Sequence, residues 1–120
     1  MTYPRRSAPE YLQDMLTFCE RIEQYTAGVT LDEFLCNRLV QDAVTRNVEI
    51  LGEAAKQLIE LEPDVITRFP SIPFRGLYGM RNRLIHGYSS LRLNTIFQVA
   101  TEDVPELRDA LRTALRSFAP

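Results

Sequence analysis

The longest helical pattern in the chain reads LVQDAVTRNVEILGEAAKQLIEL and runs from Leu39 to Leu61. Its charged side chains share one narrow stripe at spacings of four and three: Asp42, Arg46, Glu49, Glu53, Lys56 and Glu60. Most of the other positions are apolar. A helix with so narrow a polar stripe must be covered on more than one side. The segment therefore predicts either the central helix of a bundle or a dimer interface, and we favour both.

The N-terminal third of the chain shows the same helical periodicity. Ser7-Ala8-Pro9-Glu10 is a capping box with a proline near the first turn, which predicts a first helix over about residues 8–27. Gly28 is placed to end this helix. A second capping box, Thr30-Leu31-Asp32-Glu33, opens the long pattern, which could be interrupted around Cys36-Asn37 and ends near Glu62-Pro63.

The C-terminal half continues in helices. Residues 64–69 predict one short turn, and Ser71 and Pro73 mark the start of the next main helix. Its inner face should carry Leu77, Met80, Leu84 and Tyr88, and Gly87 is placed to end it. Asn94 could cap a last helix through Ala119, bent or restarted at Pro105.

These elements predict an all-α, up-and-down bundle of four to five helices. No segment alternates apolar and polar residues for long enough to predict a strand. With 120 residues and 45% hydrophobic content, the chain is expected to form one domain over residues 1–120 with a core of its own.

Composition narrows the functional classes. Cys19 and Cys36 fit no metal or redox spacing, so we expect no metal site and two reduced thiols packed on helices. No apolar run approaches a membrane span, and no secretory signal follows Arg5 and Arg6, so a cytoplasmic protein without membrane contact is expected.

The charge is unevenly distributed. Net charge is −2, yet residues 65–101 contain five arginines and no acidic residue, which leaves −7 on the remainder. A local basic surface on an acidic protein suits a phosphorylated ligand. The alternative is that these arginines pair with the surrounding acidic helices.

The only histidine lies in the stretch Arg81-Asn82-Arg83-Leu84-Ile85-His86-Gly87-Tyr88. Asn82 and His86 are four apart and share a helix face, whereas Arg81 and His86 are separated by about 140° on an ideal helix. A joint site therefore requires either a loosened helix end at His86 or a second copy of the segment from a dimer partner.

Such a cleft has the groups needed for RNA cleavage without a metal or other cofactor. One histidine would deprotonate the 2′-hydroxyl, and Arg81 would stabilise the charge on phosphorus. The alternatives are structural: His86 could interact with the last carbonyls of a helix, Tyr88 could be a core or edge aromatic, and Asn82 a solvated residue.

The same residues resemble the signature of the HEPN domain and, within it, the small HepT-like toxins. Arg81, four intervening residues, His86 and Tyr88 match the family's Arg–His–x–Tyr pattern. The block Arg46-Asn47-Val48-Glu49-Ile50-Leu51-Gly52-Glu53-Ala54-Ala55 resembles its "RN…GEA" helix, and the resemblance extends over about residues 41–111. The chain departs from it in having Phe74 where Trp is frequent, and Arg92 and Asn94 where an acidic residue is frequent.

The resemblance implies a homodimeric ribonuclease toxin of a toxin–antitoxin pair, with no cofactor and RNA as its substrate. It assigns catalysis to Arg81 and His86 with help from Asn82, and it makes Tyr88 the acceptor of AMP from an MNT-type nucleotidyltransferase antitoxin. Arg75 and Arg83 are expected to bind the substrate. The alternative is a catalytically inactive helical binding module that engages the nucleotidyltransferase or a nucleotide.

Two residues of the upstream block remain open. Glu53 could hold the arginines of the motif helix, but pairing with Lys56 or Arg46 on its own helix is slightly favoured. Gly52 is expected to be a close-packing point for a crossing helix.

Overall fold

The computed structural model describes residues 6–86 and 92–119, and all regular structure in these ranges is helical. The elements are α1 (Ala8–Thr26), α2 (Leu31–Leu35), α3 (Arg38–Leu61), α4 (Val65–Arg68), α5 (Phe74–His86), α6 (Leu93–Gln98), a π turn (Val99–Asp103) and α7 (Val104–Arg116). The last three form one continuous rod. With α1, α3 and α5 it makes four long rods, which confirms the predicted all-α bundle.

The rods run up and down. Tyr11 near the start of α1 contacts Gln57 near the end of α3, and Glu23 near the end of α1 pairs with Arg108 in α7. Gly52, in the middle of α3, lies against Arg81 in the second half of α5. The central position predicted for α3 is confirmed, because it packs against α1, α2, α4, α5 and α6.

Two predicted start signals and one predicted interruption are confirmed. Ser7 Oγ accepts from the Glu10 N–H at 3.4 Å, and the Glu10 carboxylate accepts from the Ser7 N–H at 3.3 Å. The Thr30 capping box starts α2 in the same way. The predicted interruption is also present, because Asn37 Oδ1 accepts from the Val40 N–H at 3.1 Å and starts α3 as a separate helix.

The predicted bounds of the last rod are wrong at both ends. α6 begins at Leu93 with Arg92 as its N-cap, and Asn94 lies inside the first turn, where its side chain accepts from the Thr95 N–H at 3.1 Å. α7 ends at Arg116 because the N–H groups of residues 117–119 bond to carbonyls three residues earlier, and Ser117 Oγ donates to the Ala114 carbonyl at 2.6 Å.

The predicted restart at Pro105 takes the form of the π turn. Proline lacks an N–H and its ring crowds the carbonyl four residues earlier. The turn that precedes α7 is widened, and the Val104 N–H donates to the Val99 carbonyl.

The core is one cluster of apolar side chains. α1 contributes Leu12, Met15, Cys19 and Ile22; α3 contributes Val44, Val48, Leu51, Ala55 and Leu58; the last rod contributes Ile96, Ala100, Val104, Leu107 and Leu111. From α5, Phe74 and Leu84 are buried while Leu77 and Met80 are partly buried, as the predicted inner face requires. Gly87 and Tyr88 lie outside the described residues.

Both cysteines are free, as predicted, but only one is packed in the core. Burial, with Glu23 and Glu20 nearby, raises the pKa of Cys19 to about 12. Cys36 is exposed, because it caps the end of the short helix α2 where the chain turns into α3. Within residues 6–86 and 92–119, no helix is both long and apolar enough to cross a bilayer.

Candidate active site

The motif helix α5 is held against α3 by a very close contact at Gly52. A Cβ atom added at Gly52 would lie 2.3 Å from the Arg81 Cβ and 2.5 Å from the Leu77 carbonyl oxygen. Only glycine allows this approach, so the predicted close-packing role of Gly52 is confirmed. The contact places the backbone of Arg81 directly beside the Gly52-Glu53 segment of α3.

The Arg81 guanidinium is held by two neighbours. Its Nη2 lies 3.1 Å from Glu53 Oε2, and its Nη1 donates to Asn82 Oδ1 at 2.8 Å. Because both ionic side chains are partly exposed, the ion pair contributes at most about 1 kcal/mol to stability. Its main effect is to fix the plane of the guanidinium.

The favoured interpretation of Glu53 is therefore wrong. Glu53 pairs across the helix interface with Arg81, and the cations on its own helix use other partners. Lys56 lies 3.9 Å from Glu60, and Arg46 lies 3.4 Å from Glu49. The physical reason is the Gly52 contact, which brings Arg81 closer to Glu53 than intrahelical spacing brings either cation.

His86 is the exposed last residue of α5. The helix is intact up to this residue, so His86 and Arg81 keep the separation of about 140° that an ideal helix gives them. One protomer does not bring the two side chains together. No other described residue forms a hydrogen bond with His86, and its place in the last turn agrees with the structural alternative as well.

Three predicted site residues share one side of α5. Arg75, Asn82 and His86 are spaced by seven and four residues, so they form a row that is about 16 Å long. Arg75 and His86 are exposed, and Asn82 is half-buried at the edge where it contacts Arg81. Arg83 is also exposed, three residues before His86.

Most arginines of the segment 65–101 form no ion pair within the described ranges. Of its five arginines, only Arg81 has a carboxylate partner there. Arg68 lies over the rings of Phe69 and Phe118, at 5.0 and 4.5 Å from their centroids. Arg75, Arg83 and Arg92 are exposed. The alternative in which acidic helices neutralise these arginines therefore holds for Arg81 alone, and the exposed arginines remain available to bind phosphates.

A groove of about 310 Å³ adjoins Arg81 between α3 and α5. It is lined by Arg46, Glu49, Ile50, Glu53, Arg81 and Ile85. The Ile85 side chain belongs to the motif segment but remains 41% exposed.

The sequence prediction missed two polar residues behind the site, Gln57 and Tyr11. Gln57 donates to Glu53 Oε1 at 3.0 Å, and the Tyr11 hydroxyl donates to Gln57 Oε1 at 3.0 Å. Gln57 could have been found from its spacing of four from Glu53. Tyr11 lies 46 residues away from Gln57, and no local signal connects them.

The position of Tyr88 lies outside the described residues, so the structure does not test its role. In the part of the chain that the structure describes, no group of three or more His, Cys, Asp or Glu side chains is placed to hold a metal ion.

A family model and the known relatives of this chain both point to the same family. The family model described as "Ribonuclease HepT-like" matches residues 15–114. The chain is 33% identical over 115 residues to the Methanocaldococcus jannaschii protein named "Putative RNase MJ0125", covering 96% of this chain and 97% of the relative. It is 36% identical over 105 residues to the Thermococcus cleftensis protein named "Probable ribonuclease HepT", covering 87% and 92%.

No solved structure matches the chain. The family model covers the whole site, from the Gly52 contact to the Arg–His motif, and the relatives match nearly end to end. The chain belongs to the HepT-like ribonuclease family of HEPN domains.

Proposed function

We propose that the protein is a metal-independent endoribonuclease, the toxin of a toxin–antitoxin pair, and that it cleaves RNA, with tRNA as a candidate substrate. The observation that carries the proposal is the arrangement on α5. Arg81 is fixed by Glu53 and Asn82, beside an exposed row that ends at His86. The names of the relatives as ribonucleases support the same reaction class.

The cleavage step follows from the chemistry of these groups. Neutral His86 removes the proton of a 2′-hydroxyl, and the oxygen attacks the adjacent phosphorus. Arg81 stabilises the added negative charge on phosphorus, because its planar group can contact two phosphate oxygens. The bond to the 5′-oxygen breaks, and a second proton donor protonates that oxygen. The products are a 2′,3′-cyclic phosphate and a 5′-hydroxyl.

The exposed arginines supply substrate contacts in this proposal. Arg75 and Arg83 lie on the solvent-facing part of the same helix and attract the phosphates that flank the cleaved bond. Asn82 has its amide NH₂ available, because its Oδ1 is the atom that Arg81 uses.

A twofold homodimer completes the site. Arg81 and His86 point to different sides of one helix, so His86 of one protomer would act beside Arg81 of the other. The exposed Ile85 lies between the two motif positions, next to the charged groove, where the partner helix would cover it. Two equivalent clefts result, each using both chains.

The antitoxin in this proposal is an MNT-type nucleotidyltransferase that attaches AMP to Tyr88. Each AMP would add a negative phosphate at a residue that follows His86 by two positions and Arg83 by five in the sequence. Charge and volume together would exclude RNA from the cleft. The expected site of action is the cytoplasm, where both RNA and ATP are available.

The experiment that tests this function is cleavage of total tRNA in EDTA by the wild-type protein and by His86→Ala, with identification of the product ends. We expect cyclic-phosphate ends from the wild type and at least about a 10²-fold lower rate from the variant, since general base catalysis contributes that much. Circular dichroism and the oligomeric state should be unchanged.

Equal cleavage by both proteins would remove His86 from the mechanism. Cleavage by neither, with the wild type free of AMP, would support the alternative function, a helical module that binds the nucleotidyltransferase or a nucleotide without cutting RNA. Loss of cleavage in EDTA but not in Mg²⁺ would contradict the metal-independent reaction.

A further inference from the structure

A chain of polar contacts leads from Arg81 across the exposed side of α3 to the first helix. Arg81 contacts Glu53, Glu53 Oε1 accepts from Gln57 Nε2, and Gln57 Oε1 accepts from the Tyr11 hydroxyl. The two outer links are each 3.0 Å long. The chain joins α5, α3 and α1 in sequence, and we call it the Tyr11 relay.

Each link fixes the orientation of the next group. The Gln57 amide can present either its oxygen or its nitrogen to Glu53, and only the nitrogen can donate to a carboxylate. By donating to Gln57 Oε1, the Tyr11 hydroxyl turns the nitrogen toward Glu53. Glu53 is then held through one oxygen and meets Arg81 with the other.

The relay leaves Arg81 able to bind a phosphate. A guanidinium has five N–H donors, and within the described residues Arg81 uses one of them in a hydrogen bond, to Asn82 Oδ1. Its contact with Glu53 is an ion pair at 3.1 Å that lacks hydrogen-bond geometry. Glu53 therefore orients the guanidinium without occupying all of it, which distinguishes a positioning contact from one that blocks the site.

We propose that Tyr11 and Gln57 are positioning residues for the cleavage reaction, and that they act on Arg81 through Glu53. The inference rests on the proposed ribonuclease function for its catalytic part, but not for its structural part. Glu53 has a partly exposed side chain with several rotamers. Without Gln57 it would sample them, and Arg81 would lose its fixed plane.

A first experiment measures the orientation of Arg81 in the absence of RNA. The rate of rotation about the Arg81 Nε–Cζ bond is obtained by NMR, with the signal assigned by its loss in Arg81→Lys. We expect rotation at least about tenfold faster in Gln57→Leu and a smaller acceleration in Tyr11→Phe, because the outer link acts through one more group. Unchanged rotation in Gln57→Leu would overturn the relay.

The matched controls lie on α1, the helix that carries Tyr11. Tyr25 and Gln24 are exposed and form no side-chain hydrogen bond with another described residue. Tyr25→Phe and Gln24→Leu remove the same atoms as the test variants and should leave Arg81 rotation unchanged. A change in these controls equal to that in the test variants would also count against the relay.

A second experiment measures kcat and KM on a single-stranded oligoribonucleotide. We expect kcat to fall about tenfold in Gln57→Leu and about threefold in Tyr11→Phe, with KM within about twofold of wild type, because misplaced groups mainly affect the transition state. The Gln57→Glu variant tests whether the hydrogen bond that Gln57 donates to Glu53 matters, because the side chain keeps nearly the same size. It keeps an acceptor for Tyr11 but cannot donate to Glu53 at neutral pH, so it should be at least as slow as Gln57→Leu.

The outcomes are distinct. Wild-type kcat in Gln57→Glu would reduce Gln57 to a link between α1 and α3 and overturn its positioning role. Faster Arg81 rotation with unchanged kcat would also overturn that role. If the wild type cuts no RNA while rotation responds to Tyr11→Phe, the ribonuclease proposal fails and the catalytic role with it, whereas the coupling of Tyr11 to Arg81 stands.

Discussion

Arg81 is constrained by contacts at both its backbone and its guanidinium. Its backbone is set by the Gly52 contact and its guanidinium by Glu53 and Asn82. Partly exposed ion pairs add little stability, so the contacts matter chiefly for geometry. A group already held in a reactive orientation loses less entropy when the substrate binds. In the proposed reaction, Arg81 is therefore the described motif residue that is already oriented before RNA binds.

Tyr88 provides the test at the residue scale for the neutralisation part of the proposal. Tyr88→Phe removes only the hydroxyl that would accept AMP, so RNA cleavage should stay within about twofold of wild type. Incubation with the nucleotidyltransferase and ATP should no longer add AMP or reduce cleavage. Intact mass before and after incubation gives the readout.

Tyr78→Phe serves as the matched control, because Tyr78 is a half-buried tyrosine of α5 that lies ten residues before Tyr88 in the sequence. It should be modified and neutralised like the wild type. Continued AMP transfer to Tyr88→Phe would place the acceptor elsewhere in the chain.

At this scale the sequence allowed candidate site residues to be named, but not the residues that contact them. Arg81, Asn82 and His86 could be chosen because they are chemically distinctive and closely spaced. The partner of Glu53 could not be predicted, because spacing on α3 favours Lys56 and Arg46. Only the crossing of α3 and α5 brings Arg81 nearer to Glu53. Tyr11 was missed for the same reason, since its role depends on tertiary packing alone.

The α3–α5 pair is the element on which the site depends. Gly52 sets the spacing of these two helices, and the groove beside Arg81 follows from it. Elsewhere along α5, glycines have room: a Cβ atom added at Gly79 meets no other described atom within 4 Å. An added methyl group would therefore clash with α5 at residue 52 but would find free space at residue 79.

Gly52→Ala should lower both stability and cleavage, whereas Gly79→Ala should not destabilise the fold. The new methyl group at residue 52 would overlap the Arg81 side chain and the Leu77 carbonyl, so α5 must move. Overpacking of this kind costs about 1–3 kcal/mol. At residue 79, alanine favours the helix by about 0.5–1 kcal/mol.

Urea unfolding followed by circular dichroism measures both effects, and the oligoribonucleotide assay should show at least about a tenfold loss for Gly52→Ala. Equal stability of the two variants would show that α3 and α5 can separate without cost, and that Gly52 does not set their spacing.

Helix starts were predictable because they are local events. Ser7, Thr30 and Asn37 each accept from an N–H three residues ahead, and that spacing is visible in the sequence. The start of α6 was not predictable in this way. Its N-cap residue, Arg92, makes no side-chain cap hydrogen bond, and the Asn94 side chain accepts from the N–H of the adjacent residue instead. The end of α7 depends on a tightened last turn that Ser117 stabilises, which residue type alone does not specify.

The whole molecule combines an acidic body with a basic surface on one helix. The charged stripe of α3 lies beside α5, in the grooves that Glu49, Glu53, Lys56 and Glu60 line. The sequence predicted the charge imbalance from composition. It could not predict which arginine is neutralised, because that depends on distances between helices.

Mixing two inactive proteins tests the shared clefts. Arg81→Ala and His86→Ala should each be inactive as homodimers. After co-refolding in equal amounts, half of the dimers should be mixed, and each would contain one cleft with both residues intact. About a quarter of wild-type activity should return. Native mass spectrometry establishes that mixed dimers have formed. Mixed dimers without recovered activity would show that each protomer supplies its own arginine and histidine.

The Tyr11 relay includes a residue that lies outside the region matched by the family model. The region that matches the family model begins at residue 15, so a fragment trimmed to residues 15–114 would retain Gly52, Glu53, Arg81 and His86. It would lack Tyr11 together with the Ser7 cap that starts its helix. Such a fragment would preserve every recognisable motif and still lose the outermost support of Arg81. The boundaries of a family pattern and those of a working enzyme therefore need not coincide.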